Sequence, residues 1–380
     1  PPTIVNLAVD DFGIKVVGDA HATHLIDTLQ KHYDVTIDKN GEIFCGIHLK
    51  WDYKNRTVDL TMPKYVSKAL RDFDTLLQSD RSILLILTPY QSTAKNNSLE
   101  ANFKAHLTPA QVKYCQEFTG IFNYYARAID NTMQTVISSI ASSVSTSTWE
   151  DIAYRINHFL NYAATHPNAK LRYTASQMHL WLHSDASYLN ESKARSRNGG
   201  FFYLSDKPKL PIKPEDPAPP LNAPILVNSK VINAVMSSVQ ESETGSGFIN
   251  AKDAIPMRTT PHKMGHPKGP TPIQFDNKCA MGILTDTVVQ RRSKAMDMRF
   301  YWLRDRVRQH QFHVHWKPGQ SNLGDYPTKH HSTKHHITVR PTYVMNILLQ
   351  TPRQLSPKLV VTRWGTMMPY GTPEPVFRTS

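Results

Sequence analysis

Four acidic residues in the second half of the sequence belong to four different predicted elements: Asp185, Glu243, Asp276 and Asp325. The first and third follow short apolar stretches that are typical of strands, the second lies in a helix-prone stretch, and the fourth lies in a short predicted helix. This alternation predicts an α/β sheet with flanking helices. Carboxylates from four separate elements can converge on two Mg²⁺ ions about 4 Å apart, with Mn²⁺ as an alternative.

Each of these acids also has a purely structural interpretation. Asp185 could be a turn residue, and Asp325 could be the acid that favours a helix N-terminus. It is their joint order along the chain that favours a metal site. Glu241 competes with Glu243 for the helical position, and the residues alone leave the choice open.

A second acidic feature, Asp10-Asp11, lies between the apolar stretches 4–9 and 14–17, which predict a β-hairpin with two carboxylates at its tip. Adjacent carboxylates repel each other unless a cation lies between them, so the pair is a candidate ligand set for divalent metals. Aspartate is also common in turns for its local hydrogen bonds, which is the simpler explanation of the dipeptide alone.

The remaining pattern divides the chain into four parts. Residues 1–77 alternate strands and helices in an α+β manner, and residues 78–168 form a linker followed by three amphipathic helical stretches. Residues 169–336 alternate strand-like and helix-prone stretches and are predicted as an α/β domain. Residues 337–380 have little periodicity and are predicted as a loosely ordered tail.

Composition bounds the partners and the environment. The formal charge is +13, which favours a polyanionic partner such as nucleic acid. The three cysteines are far apart and form no C-x-x-C, so we expect a reducing compartment, cytoplasm or nucleus. No apolar run is long enough to span a bilayer, and we expect no membrane partner. Because Pro1 is followed directly by a strand-like stretch, we expect the sequence to begin inside a domain.

The first part of the chain resembles the reverse transcriptase of copia-type retrotransposons. The resemblance is carried by Val-Asp-Asp at 9–11, the stretches 44–49 and 58–66, and the helical run 118–126. It implies a partial palm, a helical thumb and connection, and Asp10 and Asp11 as two of three polymerase metal ligands. Ala8 departs from the tyrosine usual in the family. The third aspartate lies upstream in the family and is absent, so we expect no polymerase activity from this chain alone.

The second part resembles ribonuclease H, through the order of Asp185, Glu243, Asp276 and Asp325. The stretches 291–304 and 325–329 resemble a basic run and an ending of copia-type elements. The resemblance implies a ribonuclease-H-like five-stranded mixed sheet, and it favours Glu243, the second of the two glutamates, without excluding Glu241. It also implies a Pol polyprotein fragment whose endonuclease cuts the RNA strand of RNA/DNA hybrids with two Mg²⁺ ions. An upstream reverse transcriptase segment and a template-primer would be further partners. The residues expected to contact nucleic acid are all basic: Arg291, Arg292, Lys294, Arg299, Arg304 and Lys317.

Two other interpretations stay open. The chain could be a decayed, non-catalytic retroelement relic that at most binds nucleic acid, or an interaction module recruited by a host, for which the sequence offers no positive feature. The histidine cluster His330, His331, His335 and His336 is interpreted as part of a solvated basic tail in preference to a metal site.

Overall fold

The computed structural model describes residues 4–8, 10–77, 86–90, 107–266, 269–285 and 297–346. The chain begins with an antiparallel hairpin of β1 (Ile4–Ala8) and β2 (Asp11–Lys15), followed by α1 (Asp19–Gln30). Three strands come next, β3 (Ile43–Phe44), β4 (Ile47–Asp52) and β5 (Thr57–Thr61), and then α2 (Tyr65–Leu77). The α+β character predicted for this segment is thus present.

A helical layer follows, with α3 (Pro109–Ala128), α4 (Gln134–Ser143) and α5 (Trp149–Thr165). Thr108 and Gln111 form a reciprocal capping box at the start of α3, and Pro109 occupies the first helical position, where its missing N–H has no consequence. Phe118, Phe122 and Phe159 are fully buried where α3 and α5 meet. The three predicted helical stretches are therefore confirmed.

A five-stranded mixed sheet occupies the second half, as predicted. Its elements are β7 (His179–Glu191), β8 (Arg195–Ser205), β9 (Pro224–Val231), α6 (Val239–Lys263), β10 (Thr271–Phe275), α7 (Lys278–Leu284), α8 (Asp297–Arg308) and β11 (Phe312–Trp316). The strand order is β11-β10-β7-β8-β9. Strands β7, β8 and β9 pair antiparallel, whereas β10 pairs parallel with both β7 and β11. This topology is compatible with a ribonuclease-H-like sheet.

The two faces of this mixed sheet pack against different layers. Leu182, Phe202 and Ile273 are buried on the face that α6 and α8 cover. Trp181 and Phe201, on the opposite face, belong to the same core as the helical layer. Because side chains alternate along a strand, one sheet joins both cores. The described residues, from 4 to 346, belong to one compact unit. No helix in the part of the chain that the structure describes is long and apolar enough to cross a membrane.

Strand β6 (Ala169–Thr174) lies in a different sheet from the one expected for it. The sequence placed it at the start of the ribonuclease-H-like domain, but it pairs antiparallel with β5, in a second five-stranded sheet of order β12-β6-β5-β4-β3. Asp59 of β5 explains the pairing, since its carboxylate accepts hydrogen bonds from both Lys170 and Arg172.

The expectation of a loosely ordered segment after His330 is wrong for residues up to 346, and the expected solvent exposure holds for His330 and His335 but not for His336. This segment forms α9 (Thr333–Tyr343) and β12 (Met345–Asn346), and β12 pairs with β6. Arg340 and His336 are buried, and His336 lies between the hydroxyls of Tyr162 and Tyr326. Contacts with the helical layer therefore order a stretch that has little periodicity of its own.

Candidate metal centre

Three carboxylates from three elements meet at one end of the mixed sheet. Asp185 lies within β7, Glu243 in the first turns of α6, and Asp276 directly after β10, and one ligand oxygen of each lies within 4.8 Å of the others. The parallel register pairs Ile273 with Leu182 and Gln274 with His183. Continued by two residues, this register brings Asp276 level with Asp185.

Burial and mutual repulsion disfavour the ionised forms of all three groups. Burial, followed by the charges of Asp276 and Asp325, raises the pKa of Asp185 to about 7. The pKa of Glu243 is raised well above its ordinary value by burial and then by Asp185 and Asp276. The pKa of Asp276 is also raised, mainly by burial. Without a nearby positive charge, ionisation of these three carboxylates is therefore unfavourable.

The donor set fits a divalent cation. Oε2 of Glu243 is buried and has no hydrogen-bond partner among the described residues. An unpartnered buried carboxylate oxygen is costly unless a cation compensates it. Carboxylate oxygens are the ligands that Mg²⁺ and Mn²⁺ prefer in proteins. Asp185, Glu243 and Asp276 are therefore able to hold such a metal.

Asp325 does not belong to the group of three. Its Oδ1 accepts a hydrogen bond from the ammonium of Lys329 at 2.5 Å. Its charge nevertheless contributes to the raised pKa values of Asp185 and Asp276, so it lies within electrostatic reach of the centre. The structure thus brings three of the four predicted acids together and pairs the fourth with a lysine.

The two glutamates of α6 have different surroundings. Glu241 accepts a hydrogen bond from the backbone N–H of Ser237 at 2.6 Å, and its own N–H is capped by Ser238. Through these contacts Glu241 helps to cap the N-terminus of α6. Glu243, two residues later, is the one that lies with Asp185 and Asp276.

A buried polar network behind Asp185 was missed in the sequence. Ser246 donates to the carbonyl of Asp185 at 2.6 Å, and Asn250 donates to the hydroxyl of Ser184 at 3.0 Å. From the other side, Asn322 donates to the carbonyl of Ser184 at 2.9 Å. The signal was available, because Ser246 and Asn250 are four residues apart and therefore share one face of α6.

Glycines allow the close approach of backbone segments around the centre. A Cβ on Gly319 would lie 2.8 Å from Oδ2 of Asp276, and a Cβ on Gly199 would lie 2.2 Å from the carbonyl oxygen of Gly324. Gly324 in turn lies against the backbone of Asp185. Any side chain at these positions would displace the carboxylates or the strand that carries one of them.

The pair Asp10 and Asp11 is exposed at the β1–β2 hairpin. Oδ2 of Asp11 accepts the backbone N–H of Cys45 at 2.8 Å, which attaches the hairpin to the turn before β4. Across the described ranges, Asp185, Glu243 and Asp276 are the one group of three or more potential ligands close enough to share a metal. The pair at the hairpin therefore has no third potential ligand among the described residues that lies close enough to share a metal with it.

The residues expected to contact nucleic acid are only partly described. Arg291, Arg292 and Lys294 lie outside the described residues, and Arg299 lies in α8 without a described side chain. The guanidinium of Arg304 lies over the ring of Tyr301. Lys317 differs from the expectation, because it is buried and its ammonium donates to the carbonyl oxygen of Asp216, so it does not face solvent.

Comparisons with known proteins add little to this site. No family model matches the chain, and no curated protein matches it. Among solved structures, the chain is similar to the N-terminal RNase H domain of Rv2228c from Mycobacterium tuberculosis, fused to maltose binding protein, with 12% identity and a TM-score of 0.27. The match covers 40% of this chain and 91% of that one. The functional case therefore depends on the site itself.

Proposed function

We propose that this chain is a retroelement-derived nuclease that hydrolyses the RNA strand of RNA/DNA hybrids. The observation that carries the proposal is the meeting of Asp185, Glu243 and Asp276 at one end of a mixed sheet. Their order along the chain, strand then helix then strand, is the order that the resemblance to ribonuclease H implies.

Divalent metal bound at such a centre supplies an activated water and stabilises the departing oxygen of a phosphodiester. The residues of the chain would hold and position the metal. Asp185 is fixed by β7 and by the hydrogen bond from Ser246 to its carbonyl, and Asp276 by the end of β10. Because Asp185 lies within a regular strand and Asp276 directly follows one, the sheet largely sets the separation of the two carboxylates.

The region beside the centre adds a cation. Lys329 is exposed and bonded to Asp325, and its charge favours the ionised forms of Asp185 and Asp276. This ammonium partly offsets the acidic charge that would otherwise repel a phosphodiester. The basic helix α8 fits a substrate with a phosphate backbone, which an RNA/DNA hybrid presents without a need for base-specific contacts.

The polymerase part is proposed to be inactive in this chain. Asp10 and Asp11 are exposed and have no third acid beside them among the described residues. We propose a reverse transcriptase segment of a polyprotein as a partner, which would supply a third aspartate and hold the template-primer.

The decisive experiment follows the cleavage of a hybrid with a labelled RNA strand in Mg²⁺ or Mn²⁺. Wild type should cut the RNA strand, and Asp185→Asn and Asp276→Asn should each reduce the rate at least about 100-fold. Asp27→Asn, an isosteric change at an exposed position of α1, should leave the rate unchanged.

The pairing of Asp325 with Lys329 favours one alternative, a relic whose fourth acid no longer serves a metal. If wild type fails to cut the hybrid with either metal yet still binds it, the nuclease proposal is wrong. The interpretation as a non-catalytic relic that binds nucleic acid is then correct.

A further inference from the structure

A second polar cavity lies at the end of the mixed sheet opposite the carboxylates. It has a volume of about 500 Å³ and lies between the later turns of α6, the end of α8 and the loop that leads into β11. Arg258 of α6 donates from Nε to the hydroxyl of Thr271, the first residue of β10. Since Asp276 follows the last of the five residues of β10, the two sites are about 16 Å apart along the strand.

Two arginines give the cavity its charge. Arg258 and Arg306 both line it, together with His310, and no carboxylate is among the lining residues of the described chain. Asp305 is next to Arg306 in sequence, but its Oδ2 accepts the side-chain amide of Gln309. The lining therefore carries a formal charge of +2, from the two guanidiniums.

Aromatic rings fix both guanidiniums in place before any ligand arrives. Cζ of Arg258 lies 5.6 Å from the ring centroid of Phe312, and Cζ of Arg306 lies 5.3 Å from that of Trp302. Such cation–π contacts hold a guanidinium with its N–H edge free for other partners. Binding an anion to two side chains that are already held in place costs less conformational entropy than binding it to two flexible side chains.

Several donors at this cavity are not used by the protein. Arg258 donates from Nη2 to the carbonyl of Gly269 at 2.7 Å, but its Nη1 has no acceptor among the described residues. Arg306 donates from Nη1 to Oε1 of Gln309 at 2.9 Å, whereas its buried Nε has no partner among the described residues. Buried donors without acceptors are rare and costly, so an acceptor from outside the chain would relieve them.

From these contacts we propose that the cavity is an anion site for a phosphate group. Phosphate oxygens match the planar N–H pairs of guanidinium, and a second phosphate or a sugar would fit in the remaining volume. His310 and the hydroxyl of Thr259 add polar groups to the lining. This inference is independent of the proposed nuclease, because none of the three carboxylates takes part in it.

The test uses the full chain with EDTA present, so that metal at the carboxylates contributes nothing. Sodium pyrophosphate is titrated by isothermal calorimetry into wild type, Arg306→Gln and His310→Gln. Wild type should bind one equivalent, and Arg306→Gln should bind about tenfold more weakly, a loss of about 1.4 kcal/mol. Arg308→Gln is the matched control, because Arg308 is on the same helix but does not line the cavity.

Circular dichroism of each variant checks that the fold is kept. His310→Gln changes an exposed lining residue and leaves both guanidiniums intact, so it is a second test of the cavity in pyrophosphate binding. The proposal is overturned if wild type shows no saturable binding, or if Arg306→Gln and wild type bind pyrophosphate equally.

A further arm identifies the source of the phosphate. If Arg306→Gln also weakens binding of an RNA/DNA hybrid, and pyrophosphate competes with that hybrid, the site takes a backbone phosphate of nucleic acid. If only pyrophosphate binding is lost, the site takes a free phosphorylated compound. Both results support the phosphate site. Asp185→Asn should bind pyrophosphate like wild type, which separates this site from the nuclease centre.

Discussion

Arg340 of α9 donates from Nη2 to the carboxylate of Asp130 at 2.6 Å, although 210 residues separate the two in sequence. Both side chains are buried. Burial alone raises the pKa of Asp130, but Arg340 and the hydroxyl of Thr132 outweigh it and hold the pKa below its ordinary value. This ion pair attaches the last described helix to the helical layer.

Removing one partner of this pair should be strongly destabilising. Asp130→Asn would leave the Arg340 guanidinium buried without its counter-charge, and we expect a loss of about 3–5 kcal/mol in the free energy of unfolding. Urea denaturation measures this. Lys113→Gln, which breaks an exposed pair with Glu117, should change stability by less than about 0.5 kcal/mol. Equal effects of the two changes would contradict the structural role of the buried pair.

The carboxylate centre should be a source of instability when no metal is present. In EDTA, Asp185→Asn removes one of three mutually repelling buried acids, so its melting temperature should lie a few degrees above that of wild type. Adding Mg²⁺ should raise the melting temperature of wild type and leave that of the variant nearly unchanged. Differential scanning fluorimetry checks both, with Asp27→Asn as the control. A wild type that does not respond to Mg²⁺ or Mn²⁺ would argue against the metal centre.

Stability should fall in acid because of buried neutral histidines. Burial lowers the pKa of His336 to about 3 from an ordinary value of 6.5, and burial followed by Lys317 does the same to His183. As the pH falls below 6.5, the unfolded chain binds protons that the folded chain cannot, so stability is full above 6.5 and decreases down to about 3. His336→Gln should flatten this dependence in urea titrations at several pH values, whereas His335→Gln, at an exposed position, should not.

Glycine 319 should be intolerant of any side chain. In Gly319→Ala, the added Cβ would meet Oδ2 of Asp276 at 2.8 Å, so the carboxylate must move away from the position it shares with Asp185. We expect hybrid cleavage to fall at least about tenfold, with a weaker Mg²⁺ response. Gly120→Ala is the matched control, since nothing lies within 4 Å of its Cβ, and it should stabilise α3 by about 1 kcal/mol. An active Gly319→Ala enzyme would show that Asp276 is not held as described.

Much of the local structure could be predicted from the residues. The apolar periods of 107–166 specify three helices because each needs only neighbours three and four positions away to form its buried face. Asp185, Glu243, Asp276 and Asp325 could be selected because their order along the chain resembles that of ribonuclease H, whereas each acid taken alone has a structural explanation. The choice between Glu241 and Glu243 could not be made locally, since both are acids near the start of the same helix.

The sequence by itself indicated most of the helices and strands and the acidic residues that they carry, and the resemblance to ribonuclease H implied the mixed sheet that contains β7 and β10. Tertiary structure alone decided that β6 pairs with β5 and that α9 is ordered. It also decided that Asp325 forms an ion pair with Lys329, whereas Asp185, Glu243 and Asp276 lie together. The reason is physical. Periodicity records which face of an element is buried, but not which distant partner covers it. That choice follows from buried polar groups finding counter-charges, as Arg340 does with Asp130 and Lys170 with Asp59.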